Sequence, residues 1–150
     1  MESLARFIGT WKLVYPDSIA AKRPEGYTQY AWDLKRSVIE SGEFERRSGR
    51  LERYVRGLIA WNPVTETIEY QEHADWGNFV RGEIRIVNDT IIHRYMMVHY
   101  PAGAVRRWRI TWRYTGGDTV RVSTELLDEG GWKPFGAPYQ RVRVLGLPPG

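Results

Sequence analysis

The sequence predicts an all-β protein, a single antiparallel up-and-down barrel of about eight to ten strands with a short N-terminal helical plug. Three observations carry this. Short runs rich in Val, Ile, Tyr and Trp recur at hairpin spacing and are separated by turns containing Gly, Asn, Asp or Pro. No segment reads as a long helix. The 150 residues are 42% hydrophobic without a break in composition, which suits one domain over 1–150 with a sizeable core, ending in a tail, 146–150, expected to be disordered.

In chain order, Glu2 to Ile8 suits one helical turn capped by Ser3, with Leu4, Phe7 and Ile8 on one side as the plug. Gly9 to Tyr15 is a strand ended by Pro16-Asp17, and the polar stretch 17–26 is long enough to lie over a barrel mouth as a lid. Tyr27 to Leu34 alternates as a strand, with Tyr30, Trp32 and Leu34 on one face. Lys35 to Arg50 is ambiguous between a ragged strand pair and a short helix. Leu51 to Trp61 is a strand that Asn62-Pro63 turns into Thr67 to Trp76.

The stretch from Phe79 to Tyr114 reads as three strands. Asn88-Asp89 and Ala102-Gly103 are taken as two-residue turns, pairing Ile84 with His93, Gly82 with Tyr95, and then His93 with Trp112. That register gathers Val80, Ile84, Ile86, Ile91, Tyr95 and Met97 with Trp108, Ile110, Trp112 and Tyr114 on an inner face, His93 among them. The outer face then carries Arg81, Glu83, Arg85, Arg94, Arg107, Arg109 and Arg113. Beyond Thr115 to Asp118, a three-residue loop puts Val120, Val122, Thr124 and Leu126 inward. Asp128 to Gly131 turns again, and Tyr139 to Leu145 closes the barrel.

Composition narrows the chemistry. There is no cysteine, which excludes disulfides, thiolate nucleophiles and Cys-ligated zinc. With no apolar run of membrane-spanning length and no signal-peptide core at the start, a cytoplasmic protein is expected. The net charge of +4 comes mostly from arginines scattered along strand faces, which argues against a nucleic-acid partner and for a solvated outer sheet. Serines lack a nucleophile motif, and no glycine-rich phosphate loop is present.

Phe7-Ile8-Gly9-Thr10-Trp11-Lys12-Leu13 at the head of an all-strand chain resembles the opening of bacterial lipocalin-like proteins of the calycin superfamily, where a Gly-x-Trp strand follows a helical plug. The resemblance implies that Trp11 packs at the closed end of the barrel with an arginine of the last strand over its ring, matched to Arg141 with Arg143 as the alternative. Asp89-Thr90-Ile91-Ile92-His93 also resembles strand starts in small lipocalin-like domains. Nothing matches the haem-ligating histidines of the related nitrobindin-like barrels, and the fold hosts both carriers and enzymes.

On this reading the chain binds a small hydrophobic molecule, aromatic or polyene-like, inside the barrel. Tyr30, Trp32, Trp61, Tyr70, Met97, Trp108, Trp112 and Thr124 line the site, and His93, Tyr95 and Glu72 orient the ligand. A plainer account makes His93 a hydrogen-bonded core residue and the aromatics filler. Glu72 is inward if Tyr70, Ala74 and Trp76 are, and the alternative register brings Gln71, His73 and Asp75 inward instead. The enzymatic alternative is an isomerase, cyclase or lyase needing no cofactor, with His93 and Tyr95 as acid/base and oxyanion donor and Glu72 assisting. His73, Asp75, His93 and His99 do not form a secure metal constellation, so no metal is expected. A third reading places anion or nucleic-acid binding on Arg81, Arg85, Arg107, Arg109 and Arg113. Met96, Val98 and Tyr100 form an outer apolar stripe suited to a homodimer.

Overall fold

A computed structural model describes residues 2–149, with the backbone alone at Glu2 and Ser3. The expected cap at Ser3 and the last tail residue, Gly150, lie outside the described residues. A 3-10 helix, Glu2–Phe7, leads into β1 (Gly9–Val14), a short helix α1 (Asp17–Ala20) and β2 (Gly26–Asp33). A 3-10 turn, Leu34–Arg36, precedes the long hairpin β3 (Val38–Arg47) and β4 (Arg50–Asn62), which resolves the ambiguous 35–50 segment as strand. Then follow β5 (Thr67–Ala74), β6 (Phe79–Asn88), β7 (Ile91–His99), β8 (Val105–Gly116), β9 (Thr119–Asp128), β10 (Gly131–Pro134) and β11 (Tyr139–Val144).

Each strand pairs antiparallel with its neighbour from β1 to β9. β11 then bridges β9 and β1, so ten strands close into a barrel. The eleventh strand, β10, pairs only with the mouth-side half of β9 and stands outside the closure. Sequence reading missed it because four residues between glycines and a proline carry no periodicity. No helix among the described residues is long and apolar enough to cross a membrane.

The plug is in place: Leu4 and Phe7 are buried against Trp11, Trp112 and the isoleucines of β3 to β7. Trp11 sits at this closed end, and its indole N–H donates to the Phe7 carbonyl at 2.8 Å. The arginine over Trp11 is Arg143, at 4.3 Å from the ring centroid, not Arg141, whose guanidinium lies over Trp112 at 4.8 Å. Arg143 also donates to the Arg6 and Ile8 carbonyls and pairs with Asp118 at 2.8 Å. One side chain thus ties the plug to the last strand.

The largest departure from the sequence reading is β7. In the first turn the Asn88 carboxamide oxygen accepts from the Thr90 and Ile91 N–H groups at 2.9 and 3.0 Å. This Asx turn pairs Asn88 with Ile91, and a bulge at Val87 sets Ile86 opposite Ile92. In the second turn Pro101 occupies the position where its fixed φ is favoured. Gly103 N–H donates to the Tyr100 carbonyl, Gly103 adopts φ +84°, and Tyr100 pairs with Ala104 around a three-residue loop. The two slips, one residue each and opposite in sign, cancel for β6 and β8 and invert β7. Ile92, Arg94, Met96 and Val98 face inward, while His93, Tyr95, Met97 and His99 face outward. The homodimer stripe on Met96 and Val98 is therefore interior, and Val98 is buried.

Candidate functional site

The barrel interior divides into an apolar end beneath the plug and a charged middle. Ile39, Ile59, Ile84 and Ile92, from β3, β4, β6 and β7, form the apolar end. The charged middle starts from two glycines. Gly57 stands between Ser41 and Glu72 in the cross-strand row, and a Cβ there would come within 2.7 Å of both Ser41 Oγ and the Gln71 carbonyl. Gly82 allows close approach of the next strand, since a Cβ there would overlap the Tyr95 carbonyl, and the Tyr70 hydroxyl donates to that same carbonyl at 3.3 Å.

Glu72 projects inward from β5 beside Gly57 and meets Arg94 from β7. Their Nη2 and Oε1 are 2.7 Å apart, with the side chains only 3% and 8% exposed. Ser41 Oγ donates to the same carboxylate oxygen at 3.4 Å, and the Arg94 guanidinium lies 4.5 Å from the Tyr70 ring centroid. Burial opposes the Arg94 charge, but Glu72 and the phenols of Tyr30 and Tyr70 outweigh it and hold the group well above its ordinary range. Burial also pushes the Tyr30 phenol up to about 12, so it is a neutral donor at any physiological pH.

Arg141 is the second buried cation. Its Nη1 and Nη2 donate to the Tyr30 and Tyr139 hydroxyls, both at 3.3 Å, while its nearest carboxylate oxygen, on Glu43, is 3.7 Å away. Glu43 is itself bonded to the Tyr54 hydroxyl at 3.0 Å. Arg141 is thus served mainly by long neutral hydrogen bonds. The Nε groups of both arginines and the Trp112 indole N–H are buried with no partner among the described residues. Both guanidiniums approach Trp112, at 5.5 and 4.8 Å from its ring centroid.

Free space is small. A cavity of about 10 Å³, room for roughly one water, lies among the isoleucines, Leu4, Phe7 and Arg94. A second void, with no room for water, touches Arg141, Trp11 and Val120. Between them the Phe7 ring rests 4.8 Å from Trp112. Phe7, Tyr30 and Trp112 line both voids and stand between the Arg94 side and the Arg141 side. A broad surface groove of about 510 Å³ lies by Pro16, Asp17, Pro138 and Gln140 and reaches the network at Tyr139, whose hydroxyl accepts from Arg141.

Of the residues expected to line the site, Tyr30, Tyr70, Trp108, Trp112 and Thr124 face inward, and Trp32 does so half-buried near the plug. Trp61 also faces the plug-end rim but is 46% exposed. Glu72 is inside, as the apolar register required, whereas Trp76 lies beyond the end of β5 and is exposed. Met97, His93 and Tyr95 are on the outer face, so Glu72 and His93 lie on opposite sides of the wall and form no acid/base pair across a cavity. His93 Nδ1 instead meets Thr111 Oγ1 at 2.9 Å, and burial, then Arg109, lowers its pKa. His73 and His99 flank Phe79 at 5.0 and 5.8 Å, and no cluster of three or more His, Asp or Glu able to hold a metal exists among the described residues.

Sequence reasoning placed Arg94 on the outer face and set Arg141 over Trp11 instead of Trp112. The legible signal was Gly57 and Gly82, bare positions inside otherwise regular strands, which mark close approach by something larger. No protein-family model matches the chain and no curated protein sequence is significantly similar to it. The architecture, a closed ten-strand antiparallel barrel with its N-terminal plug, is consistent with a lipocalin-like fold.

Proposed function

We propose that the barrel binds a small amphipathic molecule, an aromatic or polyene-like body bearing a carboxylate or comparable anion, and that it does so by displacing Leu4 and Phe7. The observation that carries this is the pair of buried guanidiniums flanking Trp112, both with an unpartnered Nε and one with no carboxylate in hydrogen-bond reach. A buried cation so served is costly, and an incoming anion supplies the missing acceptor. The isoleucine-walled end supplies the apolar complement once the plug side chains leave it.

Intrinsic Trp fluorescence tests this, since Trp112 touches both arginines and Phe7. Aromatic and polyene carboxylates are titrated beside their neutral methyl esters. The acid should bind at least tenfold more tightly, as expected for one charge-assisted hydrogen bond, and Arg141→Met should reduce that preference. Equal affinity of acid and ester, or no saturable response to any member, would sink the proposal.

A further inference from the structure

The outward faces of β6 to β9 carry Arg81, Arg85, Arg107, Arg109, Arg113 and Arg121 against two carboxylates, Glu83 and Glu125. Glu83 pairs with Arg85, and Glu125 holds Arg109 through two bonds of 2.7 Å. The other four have no carboxylate partner among the described residues, and Arg113 and Arg121 stand directly opposite each other across two strands. Like charges so placed repel. Arginines scattered in sequence are therefore gathered by register onto one face.

β10 adds what the arginines alone lack. Trp132 extends over the same face, its ring 6.0 Å from Tyr95 and 5.0 Å from the Arg109 guanidinium, while Arg85 lies 5.0 Å from the Tyr95 ring. Around these rings is a pocket of about 250 Å³ floored by Met97 and Leu127, with Arg107 and Glu83 at its rim. We propose that this outer face binds single-stranded nucleic acid, one base stacking on Trp132 with Tyr95 standing edge-on beside it, while the backbone runs from Arg81 and Arg107 to Arg113 and Arg121. Six residues of extended strand separate Arg107 from Arg113, roughly 20 Å, the reach of several linked phosphates and not of one nucleotide. Stacking with flanking cations is how base-unspecific single-strand sites are built. Met96 and Trp108 of the interior also border this pocket, but Glu72, Arg94 and Arg141 do not, so either reading can fail alone.

Fluorescence anisotropy with a labelled twelve-nucleotide single strand, its duplex and a free mononucleotide tests the proposal across a salt series. The single strand should bind far more tightly than the mononucleotide and more tightly than the duplex. Trp132→Ala should weaken binding roughly five- to a hundredfold with an unchanged salt slope. Arg113→Gln/Arg121→Gln should reduce the slope of log K against log salt by about 1.4. Both variants alter outer-face side chains, and circular dichroism confirms the fold. Equal binding of duplex and single strand, indifference to Trp132→Ala, or no binding at low salt would each overturn it.

Discussion

Replacing Arg94 with methionine should cost the fold about 3–5 kcal/mol, the usual result of leaving one member of a buried ion pair behind. The magnitude follows from geometry. At 2.7 Å, with both side chains under a tenth exposed, solvent screens little, and an effective dielectric of about 20 gives roughly 6 kcal/mol of direct attraction. Desolvating the two ions cancels most of that in the intact pair, but in Arg94→Met the Glu72 carboxylate keeps its desolvation penalty with only Ser41 at 3.4 Å to compensate. For a chain of this size the loss corresponds to a fall in Tm of roughly 6–20 °C, read by circular dichroism and Trp fluorescence together. Glu72→Gln, which keeps an acceptor for Arg94, should fall less. The double variant Arg94→Met/Glu72→Leu should recover most of the loss, giving a coupling energy comparable to the single-variant cost. A single variant melting within about 2 °C of the parent, or a double variant as unstable as the two singles added, would refute the reasoning.

Three further outcomes are expected. Gly82→Ala should give little folded protein, because its Cβ overlaps the backbone oxygen of Tyr95, which has no flexible end to move aside; soluble yield and circular dichroism check this. Arg143→Ala should loosen the plug, removing its bonds to the Arg6 and Ile8 carbonyls and its contact with Trp11. Proteolysis near the N-terminus should then accelerate well before the barrel melts. His93 has its folded pKa below the unfolded value, so its contribution to stability is fully present above about pH 6.5 and is lost as pH falls through the folded value. An imidazole NMR titration should give a midpoint below that of an unfolded reference, and Thr111→Val, which removes the hydroxyl beside Nδ1, should change it.

The barrel was legible because turn residues and strand alternation agree almost everywhere. The inner faces of β2, β5, β8 and β9 follow directly from that alternation, and Glu72 came inside with Tyr70 because the apolar count on β5 left little choice. β7 was not legible because its two faces are nearly equal in apolar content: Ile92, Met96 and Val98 on one, Ile91, Tyr95 and Met97 on the other. Only the charges distinguish them, and the charges point the wrong way. Assigning Arg94 to solvent gave a tidy separation of polar from apolar residues, and that tidiness reinforced two small turn errors. The turns held the better information. Asn88 reaching forward to two N–H groups, and Pro101 two residues before Gly103, specify loop lengths that hydrophobic patterning on β7 does not contradict.

That the sequence tolerates this inversion bears on function. A barrel filled with isoleucine and leucine at the Arg94 and Glu72 positions would lose nothing in stability, since well-packed apolar replacements of buried ion pairs are commonly neutral or stabilising. This chain instead places two arginines beside Trp112 and keeps Gly57 bare where Glu72, the partner of Arg94, packs. Stability alone does not account for such an interior, whereas recognition of an anion-bearing guest does. The Arg94→Met/Glu72→Leu variant separates the two accounts. It should melt near the parent temperature yet show a reduced preference for carboxylate over ester. Retention of the full preference would mean that Arg141 alone reads the charge, and retention after Arg141→Met as well would remove the interior arginines from recognition altogether.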